Sequence, residues 1–363
     1  MKLNNNQQAF FALVKAGLWE KEAQLSKYKD IDYSAIMRMA EKQSVVGLVT
    51  AGLERVSDLK VPKEVLLQFI GSTLQIEQQN KAMNEFVARL IEKLRKENVY
   101  AVLVKGQGIA QCYERPLWRS SGDVDLLLSD ANYEKAKTLL LPLAIESEKE
   151  YKKFKHFGMT FKGGYVVELH GTLHTRLSRR IDRGVDEAQN DVFCGGNVRS
   201  WTNGNTQVFL PGADNDVIFV FTHILHHFYI EGIGLRQICD WCRLLWTYRD
   251  SLNRGLLESR LRKMGLMTEW KAFAALAVDW LGMPEEVIPF YDSRFKVKGE
   301  RILEYVLETG NFGHNREAAA SGKIDSAWNK LKDFARHTRV FPLDSIKFFF
   351  HFVVNGVQVA TEK

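Results

Sequence analysis

The chain has only four cysteines in 363 residues, Cys112, Cys194, Cys239 and Cys242. That is too few to staple a fold of this length, so the thiols are expected to be reduced and the protein intracellular. No uninterrupted apolar run reaches the roughly 20 residues of a membrane helix. The nearest approach, Ile346 to Ala360, is broken by Lys347, His351 and Asn355. The N-terminus has no apolar stretch of the kind a secretory signal needs and opens on polar Asn4-Asn5-Asn6-Gln7-Gln8. With no transmembrane segment and no signal, a cytoplasmic location is expected. Internal repeats and low-complexity tracts are also missing. A net charge of +6 is a mild excess. It favours anionic ligands such as triphosphates, and nucleic acid is not indicated. Basic residues cluster only briefly, at Lys152-Lys153-Phe154-Lys155 and from Arg176 to Arg183, and read as solvated surface.

What is present is a globular composition, 45% hydrophobic and 26% charged, in a chain long enough for two or three packed units. Residues 1–96 read as helical. Phe10, Phe11, Leu13, Val14 and Leu18 give one apolar stripe, and Ile36 to Val49 give another. Pro62 stands where a helix starts, and the pattern from Glu64 to Lys96 meets only Gly71 as a breaker. Its polar stretch, Gln75 to Lys81, is expected to lie along another surface. The texture changes at Val99. Strands are expected at Val99–Val104, Asp123–Leu128, Ile145–Tyr151, Phe157–Lys162, Tyr165–His170 and Gln207–Leu210, with short helices to about Tyr113 and over Asn132–Leu140. Gly163-Gly164 signals a two-residue hairpin. From Ala213 onward the chain reads as helical again. The layout is α+β: a core over 97–212, flanked by helical regions over 1–96 and 213–363.

Chemistry concentrates at Ser121-Gly122-Asp123-Val124-Asp125-Leu126. Side chains at i and i+2 of a strand share a face, so Asp123 and Asp125 project together. Two such carboxylates repel unless a cation lies between them, and Mg²⁺ or Mn²⁺ suits oxygen ligands. Glu168, among apolar neighbours in the strand 165–170, is a third candidate acid. If its strand lies beside the Asp strand, the three acids converge on a set suited to two-metal nucleotidyl transfer. Lys105-Gly106 follows the first strand, where glycine lets the backbone approach an anion and the lysine meets phosphate charge. Arg119 offers a planar fork four residues before Asp123. Lys105 and Arg119 are equally open to ion pairing with the acids.

The run Lys105-Gly106…Tyr113…Arg119…Gly122-Asp123-Val124-Asp125-Leu126-Leu127, with Glu168-Leu169-His170 downstream, resembles the bacterial uncharacterised nucleotidyltransferase family of the DNA polymerase β-like nucleotidyltransferase superfamily. His223…Asp240…Leu244-Leu245 extends the similarity more weakly. The resemblance implies a small mixed sheet with flanking helices. It also implies transfer of a nucleoside monophosphate from a nucleoside triphosphate to an unknown acceptor, with release of pyrophosphate. By it, Asp123, Asp125 and Glu168 are catalytic metal ligands, with Lys105, Gly106, Arg119 and Gly122 at the nucleotide. The chain departs from the superfamily in having Lys-Gly where Gly-Ser is usual, a longer gap to the first acid, and Glu in the third acid position.

Several features have plainer readings beside the functional ones. His170 is expected to be a satisfied structural histidine, with an acid–base or acceptor role as the alternative. Asp240 is expected to pair with Arg236 or Arg243, or else to face the site. Cys239 and Cys242 read as buried thiols on a helix, against zinc binding with His223, His226 and His227. The Phe348-Phe349-Phe350-His351-Phe352 cluster reads as core or oligomer contact, against a membrane surface. A catalytically weak nucleotide-binding or regulatory protein on the same fold, and a histidine-based metallohydrolase, are the competing functions.

Overall fold

The computed structural model describes residues 3–150, 155–310 and 323–349. Four helices come first: α1 (Asn5–Trp19), α2 (Tyr33–Lys42), α3 (Val46–Leu53) and α4 (Lys63–Lys96). The polar N-terminus caps α1. Asn4 Oδ1 accepts from the Gln7 backbone N–H at 2.9 Å, and the Asn4 backbone N–H donates to Gln7 Oε1 at 3.1 Å. At 34 residues, α4 is long enough to span about 50 Å.

The α+β core follows: β1 (Ala101–Val104), α5 (Gly106–Ala110), β2 (Val124–Leu128), α6 (Asp130–Leu140), β3 (Glu146–Ser147), β4 (His156–Phe161), β5 (Tyr165–His170), α7 (Arg179–Phe193), β6 (Val198–Asn203) and β7 (Thr206–Pro211). Helices α8 (Ala213–Ile230), α9 (Leu235–Thr247), α10 (Arg254–Met264), α11 (Met267–Leu281), α12 (Lys296–Thr309) and α13 (Lys323–Val340) follow, and residues 342–349 are helical again at the end of the described chain. No described helix is long and apolar enough to cross a membrane.

One mixed seven-stranded sheet has the order β3-β4-β5-β2-β1-β7-β6. The central strand β2 runs parallel to β5 and antiparallel to β1. Alternation splits its side chains between two cores. Ala101, Leu103, Val124, Leu126, Leu128, Val167 and Leu169 pack with the C-terminal half of α4 and with α6. Val102, Val104 and Leu127 face the other way, into a large core shared by the N-terminal helices and by α7 to α12. Asp123 and Asp125 share the face of Leu127, so the acids look toward α8 and α9.

The strands and helices fall near their expected places, with three differences. The strand expected over Ile145–Tyr151 is reduced to the pair Glu146–Ser147, and Tyr151 lies outside the described residues. Helix α7 and edge strand β6 were not anticipated. Ser178 caps α7, and Ile181, Val185, Ala188 and Val192 form its buried stripe. Within the C-terminal phenylalanine cluster, Phe348 is buried against Tyr229 and Phe349 is exposed, while Phe350 to Phe352 lie outside the described residues.

Candidate active site

The register of two parallel strands builds the acid group. Asp125 on β2 is the direct partner of Glu168 on β5, so their side chains emerge side by side. Asp123 stands two residues before Asp125, on the same face. Ligand oxygens of the three carboxylates lie within 4.8 Å of one another. Asp125 is buried, while Asp123 and Glu168 are half-buried.

Two side-chain nitrogens share Asp125 Oδ1. Lys105 Nζ donates at 2.8 Å, and His170 Nε2 lies at the same distance. Glu168 Oε2 is met by His156 Nε2 at 3.1 Å and by His170 Nε2 at 3.4 Å. The electrostatics follow. Repulsion from Asp125, then burial, then Glu168 raise the Asp123 carboxyl above its ordinary value. Burial opposes ionisation of Asp125, but Lys105 and the His170 hydrogen bond outweigh it and hold Asp125 down. Glu168 is held well below the carboxylate range in the same way, with the His156 and His170 bonds overcoming burial. Burial pulls Lys105 down, and the attraction of Asp125, Glu168 and Asp123 more than restores it. Burial opposes charge on His170, but its bonds to Asp125 and Glu168 outweigh it and raise the imidazole above its ordinary value.

Local backbone brings Lys105 here. Its φ of 57° is in the left-handed region, and Gly106 continues the turn at φ 38°. A Cβ at Gly106 would meet the Asp123 carbonyl only at ordinary contact distance, 3.4 Å, so it is the positive φ that favours glycine in this turn. Around Gly122 an added Cβ would meet nothing within 4 Å, and this residue leaves the rim open.

Arg119 lines the same cavity, but its fork is taken. Nε and Nη2 bond the two oxygens of Asp240, each at 2.7 Å, and Tyr113 donates to Asp240 Oδ1 at 2.8 Å. The structure therefore corrects the expected partner of Asp240. Arg236 reaches the Ser120 carbonyl at 2.9 Å, and Arg243 reaches the Cys112 and Leu18 carbonyls and Glu114. The polar stretch of α4 holds this loop. Asn80 donates to the Leu117 and Arg119 carbonyls, and Glu77 accepts from the Trp118 indole.

The acids open on a cavity of about 430 Å³, within the range of roughly 300–1,000 Å³ common for small-molecule sites. Its far wall is made by residues 172–176 and by His223, His226, Arg236 and Gln237 of α8 and α9. His226 Nδ1 lies 2.7 Å from the Thr175 carbonyl and ties that loop to α8. Burial and the neighbouring His227 bring His226 down to about 4. Burial, then Lys105 and His227, bring His223 lower than an ordinary histidine. Both are therefore neutral at pH 7. Cys239 and Cys242 are buried in α9, their thiols pushed up by burial, and no metal-ligand cluster among the described residues includes them. His174 pairs with Asp186 at 2.6 Å.

Sequence reading missed His156 and the cavity-facing role of the α8 histidines. The first depends on the hairpin loop, which has three residues, Lys162-Gly163-Gly164, rather than the expected two; this shifts the register by one and sets His156 opposite His170. The second depends on where α8 crosses the sheet, which no local pattern specifies.

A family model described as uncharacterised nucleotidyltransferase matches residues 29–282, from just before α2 to the end of α11. No curated protein and no solved structure gives a significant match.

Proposed function

The chain belongs to this uncharacterised nucleotidyltransferase family, and from that premise we propose that the cleft moves a nucleoside monophosphate from a nucleoside triphosphate to an acceptor. The observation that carries the reading is the in-register pairing of Asp125 with Glu168 on adjacent parallel strands, with Asp123 beside them. An acceptor oxygen bonds to the α-phosphorus, the bond to the β-phosphate oxygen breaks, and pyrophosphate leaves.

The donor set fits a hard divalent cation. It is all oxygen, and mutual repulsion raises Asp123 as expected of acids gathered for a cation. Asp123, Asp125 and Glu168 would hold Mg²⁺ or Mn²⁺, which supplies charge neutralisation at the phosphates and orients the reacting oxygens. Lys105 is the chain's own cation at this point and is placed to exchange Asp125 for a phosphate oxygen. The Gly106 turn and the open rim at Gly122 admit the triphosphate. Arg119 and Asp240, locked in a buried fork, frame the wall rather than meeting phosphate directly. The neutral His223 and His226 face the acceptor side. We read the protein as a cytoplasmic enzyme.

The test incubates the full chain with each α-labelled nucleoside triphosphate, Mg²⁺ or Mn²⁺, and cell extract. Label is expected to reach an acceptor. Asp123→Asn and Asp125→Asn are each expected to lower transfer by ~100-fold or more, the scale on which loss of one charge-stabilising contact acts, with circular dichroism unchanged. Full activity in both variants would sink the reading. Saturable triphosphate binding without transfer under any metal would favour the nucleotide-binding regulatory alternative, which the double occupation of Asp125 Oδ1 by Lys105 and His170 makes concrete.

A further inference from the structure

The β4–β5 hairpin sets a second group of ligand atoms beside the three acids. His156 and His170 are cross-strand partners, and both turn Nε2 toward a single oxygen, Oε2 of Glu168. Their ring centroids are 4.9 Å apart, and the three ligand atoms lie within 4.8 Å of one another. We infer that His156, His170 and Glu168 form a site for a divalent transition-metal ion, Zn²⁺ by its chemistry, and that Glu168 is shared between this site and the oxygen-only acid group.

Three observations carry the assignment. The first is geometric. Zinc bonds to imidazole nitrogen and carboxylate oxygen are about 2.0–2.2 Å long, so neighbouring ligand atoms of a tetrahedral site stand roughly 3.3–3.5 Å apart. The two Nε2–Oε2 separations, 3.1 and 3.4 Å, are close to that edge length before any ion draws them in. The second is donor type. Two imidazoles and one carboxylate select a borderline ion, whereas Mg²⁺ prefers oxygens and holds to the acid group. The third is access. His156 and Glu168 side chains are 22% and 26% exposed, and all three residues line the cavity. Three protein ligands with an open side are the form of a catalytic rather than a structural zinc site.

The ligands sit on paired strands joined by a short three-residue loop, Lys162-Gly163-Gly164, and this pairing holds them more rigidly than loops would. His170 Nε2 also lies 2.8 Å from Asp125 Oδ1, so an ion on this nitrogen would replace that hydrogen bond, and the two sites share this wall as well as Glu168. An ion on the imidazoles would lower the pKa of a water or hydroxyl entering from the cavity. That use rests on the nucleotidyl-transfer reading; the site itself does not.

The test titrates the untagged, metal-stripped full chain with Co²⁺ and follows visible absorption. A four- or five-coordinate ion bound to nitrogen absorbs strongly, and an ion on oxygens alone absorbs weakly. The parent is expected to give the strong band, to lose it on adding Zn²⁺, and to keep it in excess Mg²⁺. His156→Asn, which keeps a donor near Glu168, is expected to abolish the band and weaken Zn²⁺ binding by ~10-fold or more. Asp123→Asn is expected to keep the band. A weak spectrum in the parent, or a strong band that survives His156→Asn, overturns the proposal. Should His156→Asn not fold, the parent spectrum and its response to Mg²⁺ still decide. Failed label transfer with the band intact would count against the nucleotidyltransferase reading and leave this site standing. Successful transfer without the band would do the reverse.

Discussion

Asp125 accepts on one oxygen from both Lys105 and His170, and this compensation keeps three acids together in a buried place. The same logic runs in reverse at Glu269 on α11, where no cation compensates fully. Burial, with the Asp344 charge adding, pushes the Glu269 carboxyl up to about 8, and Lys298 offsets only part of this. Between its ordinary value near 4.3 and about 8, the folded chain holds a proton that the unfolded chain has released. The stabilising effect of that proton is complete on the acid side and is lost as pH rises through the folded value. Glu269→Gln removes the titration while keeping the shape. Its advantage in melting temperature over the parent is expected to be small at pH 5 and to grow toward pH 9. At ~1.4 kcal/mol per pH unit between the two values, the limiting gain is of the order of a few kcal/mol. A constant difference across that range would contradict the assignment.

At the scale of elements, helices α1 and α3 meet almost backbone to backbone. A Cβ at Gly52 would lie 2.1 Å from the Leu13 carbonyl oxygen, and one at Gly17 would lie 1.9 Å from that of Leu48. In an exposed helix, Gly→Ala stabilises by about 1 kcal/mol. Here the obstacle is backbone, which has no rotamer to yield, so overpacking prevails. Gly52→Ala is expected to destabilise by ~1–3 kcal/mol in urea denaturation; a gain in stability would mean that the helices part freely. Elements also differ in how plainly the sequence announces them. Tyr165–His170 alternates and follows a double glycine, and its limits were legible to the residue. Helix α7 carries its stripe at helical spacing, but the basic run Arg176 to Arg183 overlaps its first turns and masks the period. Strand β6 is a polar edge with no buried residue, so it shows no alternation to read, and only pairing with β7 makes it a strand.

Across the whole molecule, the helices before and after the sheet bury one core. Phe10 of α1 and Phe273 of α11 are both fully buried within the same cluster, and α4 links it to the core on the opposite face of the sheet. Among the described residues, helices on both sides of the sheet contribute to the same cluster. Phe10→Ala and Phe273→Ala are each expected to cost ~3–5 kcal/mol and to shift one common calorimetric transition. Two transitions, each sensitive to only one of the variants, would show that the helical regions unfold independently.

The sequence alone determined the α+β class, the central strands and the three acids. Period-2 alternation and i, i+2 geometry are local, and a carboxylate in an apolar strand must answer for its charge wherever the strand lies. Tertiary structure decided the partners. That Glu168 stands beside Asp125 depends on a parallel pairing between strands 43 positions apart in the sheet register. That Arg119 closes on Asp240, rather than remaining available to phosphate, depends on α9 packing across the loop that α4 holds. Local pattern fixes which way a side chain points from its own element; only the packing of distant elements fixes what it meets there.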